Sequence, residues 1–382
     1  MRPRNVLVVI LAVMLGAAAI FALRQLREPV AETSRDIPLT LPPPPEINTA
    51  LIDDLLPRDS IQSIDEPIYE SSAEADRVVD PDERVIGLII NGDARAYPIN
   101  ILSNHEIVND VVGGEAVAIT WCPLCFSALV FSREVAGQDQ PLDFGVSGKL
   151  LYNTLVMFDR QTGTLWSQLY GAGIDGSLEG TVLAVFPSQL TEWDSWKRQY
   201  PGTLVLSKTG TCEQFNCGTY ATNPRGSYDI DPYESYYNTP LEGVINNQIP
   251  RDAAGRSVKR RVLGVRVGDR ARAYPFDILE ELRLVNDNLN NTPLLVWFDP
   301  VTQTGLIYNR RVDGDVLAFT LDPADPLFLI DDLTDSKWLA STGEAVDGPL
   351  AGKQLADVVS TPAFEFGWFD YFSHSDAYSP DL

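Results

Sequence analysis

The chain has 382 residues, 45% of them hydrophobic and 21% charged, which is ordinary globular composition and enough for two core-forming units. Its formal net charge of −24 excludes a protein built to grip phosphate backbones, so no nucleic-acid partner is expected. The acidity is spread along the chain rather than blocked, which describes a solvated, self-repelling surface.

Residues 6–23 are an uninterrupted apolar run, flanked by Arg2 and Arg4 before it and Arg24 and Arg27 after it. At about 1.5 Å per residue such a run just spans a hydrocarbon core of about 30 Å. It predicts a transmembrane anchor (or a signal peptide, with Ala17 and Ala19 as a weak cleavage signal) after a cytoplasmic tail over 1–5. The membrane is then a partner, and the body is expected to be extracytoplasmic, periplasmic or at the cell surface. Residues 24–58 are polar and include Pro42, Pro43, Pro44 and Pro45, which favours an extended, stiff linker outside the fold.

The body carries an internal duplication. Arg84-Val-Ile-Gly-Leu-Ile-Ile-Asn-Gly-Asp-Ala-Arg-Ala-Tyr-Pro98 returns as Arg261-Val-Leu-Gly-Val-Arg-Val-Gly-Asp-Arg-Ala-Arg-Ala-Tyr-Pro275, and the alignment continues without a gap to Val135 and Val312. After a short slip, Trp166, Gly176 and Trp196 fall on Trp338, Gly348 and Trp368. The first repeat is placed at 59–208, a Gly-, Asn-, Tyr- and Pro-rich connector at 209–259, and the second repeat at 260–382. Within a copy, β-branched runs ending at Asn91-Gly92 or Gly268-Asp269 predict hairpins. Pro98 predicts the start of a short helix that puts Ile101, His105 and Val108 on one face and ends at Asn109-Asp110. Val117 to Trp121 and Ala128 to Ser132 predict a strand pair joined by a tight turn. The expected fold class is α+β, predominantly β, in two pseudo-equivalent halves, preceded by one N-terminal transmembrane helix.

Duplication serves as an internal control. Positions matched in both copies, such as Tyr97, Asn109, Asp110, Asp159 and Trp166, are read as scaffold. His105, Glu106, Cys122 and Cys125 become Leu282, Arg283, Asp299 and Thr302, so a site is expected in the first repeat only. Cys122-Pro-Leu-Cys125 can point two sulfurs at one metal, and His105 is the natural third ligand, which makes an incomplete zinc set or a nearly complete copper(I) set. A core histidine bonded to a backbone carbonyl is the alternative. The same cysteine spacing also suits a thiol–disulfide oxidoreductase, although the strand-like Phe126 to Ser132 argues against a thioredoxin fold. A non-catalytic binding or scaffold protein with a structural disulfide is the third reading. Glu106, Ser147, Asn153, Ser167 and Gln168 are further pocket candidates. Cys212 and Cys217 are spaced for a local disulfide. No serine-hydrolase elbow, phosphate loop or dinucleotide fingerprint occurs, and nothing names a substrate or a protein partner.

Ile64-Asp-Glu-Pro67, Ala96-Tyr-Pro98, His105-Glu-Ile-Val-Asn-Asp110, Cys122-Pro-Leu-Cys125, Ser147-Gly148, Trp166-Ser-Gln168 and Asp231-Pro-Tyr233 together resemble the bacterial and archaeal family called domain of unknown function 3179. Phe126 departs from the small residue, such as glycine, that the pattern leads one to expect after the second cysteine. The resemblance implies motif boundaries from about Asp59 onward and supplies no reaction.

Overall fold

The computed structural model describes residues 39–42, 47–217, 228–239, 241–244 and 259–380. Strand Arg84–Ile90 folds back on Asp93–Pro98 through Asn91 (φ 49°) and Gly92 (φ 76°), the two left-handed residues that a tight hairpin needs. In the second half Arg261–Val267 folds back on Arg270–Pro275 in the same register, Tyr97 opposite Ile86 and Tyr274 opposite Leu263. Each proline leads into a seven-residue helix, Ile99–His105 and Phe276–Leu282, and each helix stops at a left-handed residue, Glu106 (φ 59°) or Arg283 (φ 60°).

The helix predicted to reach Asn109 therefore ends earlier. The β-branched residues of Ile107–Val112 satisfy their backbone by pairing antiparallel with Glu115–Cys122 rather than by extending the helix.

Three sheets of each half correspond strand for strand in the same order, and the second half adds a two-stranded sheet, Arg311–Val312 with Asp315–Val316. Ser188–Glu192, Arg84–Ile90, Asp93–Pro98 and Leu204–Leu206 correspond to Ser360–Phe364, Arg261–Val267, Arg270–Pro275 and Asp376–Ala377, the last strand pairing parallel in both. Ile107–Val112, Glu115–Cys122, Ser127–Ser132 and Ala184–Phe186 correspond to Leu284–Leu289, Thr292–Asp299, Thr304–Asn309 and Ala356–Asp357. The third sheets run Phe144–Leu151, Thr154–Asp159, Leu165–Ser167, Ala172–Asp175 and Phe319–Leu321, Phe328–Asp331, Lys337–Leu339, Glu344–Asp347.

Matched residues hold matched contacts. The Asn109 amide clamps the backbone N–H and C=O of Phe144, and Asn286 does the same for Phe319. Tyr97 donates to Asp110 at 2.5 Å, and Tyr274 donates to Asp287 at 2.7 Å. Gly87 and Gly264 leave room for an indole face: a Cβ there would lie 2.3 Å from Trp196 and 2.2 Å from Trp368.

The halves interlock along one seam. Thr361 Oγ1 accepts from Ala128 N–H (3.3 Å) and donates to Ala128 C=O (2.9 Å), Thr191 meets Thr304 at 2.8 Å, and Tyr371 donates to Leu151 C=O at 3.0 Å. Leu151, Phe158, Val262, Ala363 and Trp368 share one apolar cluster across it.

Two expectations about the N-terminal part change. Within the stretch expected to be a linker, Leu39–Thr40 pairs with Ala184 and Val185, and Ile52–Asp54 pairs with Lys149 to Leu151, so these residues are edge strands of the body. Among the described residues no helix is long and apolar enough to cross a membrane, and residues 6–23 lie outside the described residues. The transmembrane helix is dropped from the fold class, and with it the membrane partner and the membrane-anchored, extracytoplasmic placement, which no described element supports. What the described residues form is α+β, mostly strand, in several sheets.

Candidate functional site

The cysteine turn joins strand Glu115–Cys122 to Ser127–Ser132, with Cys122 paired opposite Ser127. It is one of four hairpin turns of the same build. The other three begin at Asp159, Asp299 and Asp331, whose carboxylates accept from Thr162, Thr302 and Thr334 at 2.8, 2.8 and 3.0 Å. Each threonine then meets a hydroxyl two residues on, at 2.7, 2.8 and 2.7 Å. The intervening residue is left-handed in every case: Gly163 (φ 72°), Gln303 (φ 55°), Asp335 (φ 57°) and, in the cysteine turn, Phe126 (φ 58°). Cys122 occupies the aspartate position and Cys125 the threonine position, with Cys125 Sγ 3.0 Å from Ser127 Oγ.

Phe126 holds its strained conformation because its ring is wedged among Trp121, Tyr237 and Phe364, at centroid distances of 5.1, 5.3 and 5.3 Å. The second half closes over the turn. Phe364 N–H donates to Cys125 C=O at 2.7 Å, and Gly367 faces Cys125 where a Cβ would come within 2.9 Å of the cysteine Cβ. From the connector, Tyr236 donates to Leu124 C=O at 2.8 Å and accepts from Gly243 N–H at 2.9 Å. The result is two free thiols, Cys122 at 2% exposure and Cys125 at 0%.

The two sulfurs sit in opposite electrostatic situations. Burial pushes the Cys122 thiol well above its ordinary value, and the neighbouring Cys125 and Glu106 add to this. Burial pushes Cys125 up too, but the Cys122 thiol, the Ser127 and Thr154 hydroxyls and the Ser127 N–H outweigh it and hold Cys125 below the ordinary thiol value. Ser127 Oγ also donates to Gln168 Oε1 at 2.9 Å, and Gln168 Nε2 donates to Thr120 Oγ1 at 3.2 Å. The single Ser127 proton thus has two acceptors, the sulfur when it is a thiolate and the amide oxygen when it is a thiol. Glu106 is buried beside them, and burial followed by the charge of Cys125 pushes its carboxyl up to about 8.

His105 does not join this group. Its Nδ1–H donates to Gln62 C=O at 2.7 Å, and its Nε2 accepts from the Tyr228 hydroxyl at 2.6 Å, so neither ring nitrogen has a lone pair to offer. Burial holds the imidazole below its ordinary value, against the pull of the Gln62 bond. Phe215 lies against the ring at 4.4 Å, near the end of helix Lys208–Phe215, whose Cys212 is joined to Cys217 in a disulfide. Among the described residues no group of three or more His, Cys, Asp or Glu side chains is placed to hold a metal. The soft-metal site of His105, Cys122 and Cys125 is corrected accordingly: Cys125 Sγ lies against the Ser127 hydroxyl, Glu106 acts on the thiols as a neighbouring charge, and the histidine is a satisfied core residue.

Of the other candidates, Glu106 and Gln168 lie with the thiols. Ser167 donates to Tyr371 Oη at 3.4 Å and accepts from Tyr170 N–H at 3.3 Å. Ser147 accepts from Lys149 N–H and donates to Val156 C=O across a β-bulge, and Asn153 accepts from Val244 N–H at 2.9 Å; both hold backbone. Ser127 and Thr154 are members that the sequence comparison missed. Ser127 recurs as a hydroxyl residue in the other three turns, which marks it as scaffold, and the recurrence of aspartate and threonine at this spacing was the signal for the turn itself.

No curated protein and no solved structure matches the chain. A family model described as protein of unknown function (DUF3179) matches residues 58–375, and the chain belongs to that family.

Proposed function

We propose that the protein is a thiol–disulfide oxidoreductase in which Cys125 is the nucleophile, Cys122 the resolving thiol and Glu106 the proton carrier. The observation that supports this most is the divergence of the two thiols, one raised and one lowered, beside a carboxyl poised near neutral pH. In the reducing direction the Cys125 thiolate attacks one sulfur of a substrate disulfide, and the expelled thiolate takes the proton of Glu106. The Glu106 carboxylate then accepts the Cys122 proton, and Cys122 attacks the Cys125 sulfur of the mixed disulfide. The second substrate sulfur leaves as a thiolate, and two electrons have passed from the dithiol to the substrate. Because the sulfurs are enclosed, exchange needs Tyr236 to leave Leu124 C=O.

Equilibration of the full chain in glutathione buffers, followed by alkylation and peptide mapping, tests the proposal. Cys122 and Cys125 should pass together from two free thiols to one disulfide. If they stay reduced over the whole range, the pair is packing in a hairpin turn that elsewhere uses aspartate and threonine, and the redox reading fails.

A further inference from the structure

A cavity of about 510 Å³ opens beside the cysteine turn and is lined by Phe126 but by neither cysteine. Its size is that of a small-molecule site. Arg84 and Arg261, the first residues of equivalent strands in the two halves, reach into it, and their guanidinium carbons lie 5.7 and 5.8 Å from the centroid of the same Phe126 ring. Arg261 donates one N–H to Gln303 at 2.8 Å, and Arg84 Nη1 is buried without a hydrogen-bond partner. Among the described residues neither guanidinium forms an ion pair, and burial lowers both, Arg261 additionally through its repulsion by Arg84. Lys259 lines the same wall over the Tyr236 ring.

Two like charges brought together in a half-buried pocket are costly unless an anion joins them. Nearby carboxylates attract them without closing an ion pair, Glu192 and Asp231 on Arg84 and Glu280 on Arg261, while the buried Glu83 is paired with Lys208 at 2.5 Å and Asp231 accepts from Tyr233 N–H at 2.9 Å. Asp80, Asp82 and Glu234, by contrast, are exposed at the mouth. The cavity is therefore polarised, positive at the floor and negative at the rim.

We infer that this cavity binds a small zwitterionic, amino-acid- or peptide-like ligand, with its carboxylate on Arg84 and Arg261 and its ammonium group toward Asp80, Asp82 and Glu234. Guanidinium groups suit a carboxylate through paired N–H donors, and the rim supplies the opposite charge for the other end. The inference does not rest on thiol cycling, and its test uses a probe that cannot exchange. Calorimetric titration of the full chain with S-methylglutathione should give saturable binding, weakened about tenfold or more in Arg84→Met and in Arg261→Met, as expected for loss of a charge-assisted hydrogen bond. Thermal melts check that these variants fold. The exposed pair Asp80→Asn/Asp82→Asn should weaken S-methylglutathione severalfold and leave succinate binding unchanged or tighter. Absence of saturable binding, or binding indifferent to either arginine, overturns the site. Succinate binding as tightly as S-methylglutathione, with no effect of the rim variant, overturns the zwitterionic class.

Discussion

Replacing Glu106 by glutamine should stabilise the protein at neutral pH while impairing exchange at the thiols. The folded state raises the Glu106 carboxyl from 4.5 to about 8, chiefly by burial. The sign follows from proton uptake: between these values the native state holds a proton that the unfolded chain has lost, so stability falls as pH rises through this window. At about 1.4 kcal/mol per pH step, the penalty grows to roughly 3 kcal/mol near pH 7 and roughly 5 kcal/mol at pH 8 and above. Glutamine has nearly the same shape and no proton to lose, so Glu106→Gln removes the penalty. Glu83, raised to about 7 by burial, contributes a slope of the same sign, so the informative quantity is the difference between the two proteins. Urea unfolding of both at pH 5, 6, 7 and 8 should show curves that nearly meet at the acid end and diverge toward pH 8, the variant being the more stable. Curves that stay parallel, or a variant less stable at pH 8, would refute the placement of an uncompensated carboxyl beside the thiols.

Further outcomes follow from the same geometry. Cys122→Ser and Cys125→Ser should each cost no more than about 1.5 kcal/mol in a thermal or urea melt, because a hydroxyl keeps the turn's polar contacts as Thr302 and Asp299 do; both should abolish the Cys122–Cys125 transition. Gly87→Ala should lower stability by about 1–3 kcal/mol, since its Cβ would meet the Trp196 ring at 2.3 Å, and Gly264→Ala should match it against Trp368. Tyr97→Ala should cost about 3–5 kcal/mol, measured the same way, because the ring is fully buried and its hydroxyl serves Asp110.

Much of the fold was legible because two periodicities and two prolines carry it. The runs from Arg84 and Arg261 are β-branched and end in residues that tolerate a left-handed turn, and Pro98 and Pro275 start helices where their missing N–H does no harm. The end of the first helix was not legible, because Glu106 takes a left-handed conformation that sequence statistics reserve for glycine and asparagine. That single residue also decided the site. On a continuing helix Glu106 would point about 100° away from His105 and from any shared ligand. With the helix ended, the buried Glu106 carboxyl lies close enough to the cysteines for their charges to act on one another, while His105 finds Gln62 and Tyr228 instead. The expected linker failed for a different reason: Leu39–Thr40 is a two-residue edge strand, too short for alternation to reveal.

The four alike hairpins separate closure from chemistry. An aspartate and a threonine are enough to shut the turn three times, so the sulfurs at the fourth are not there to shut it. For this architecture a dithiol is a two-residue graft into a socket that stands without it, and its gain or loss leaves the surrounding strands in register. The turn at Asp299 is such a socket left unused, at the end of the strand that answers Glu115–Cys122 in the other half.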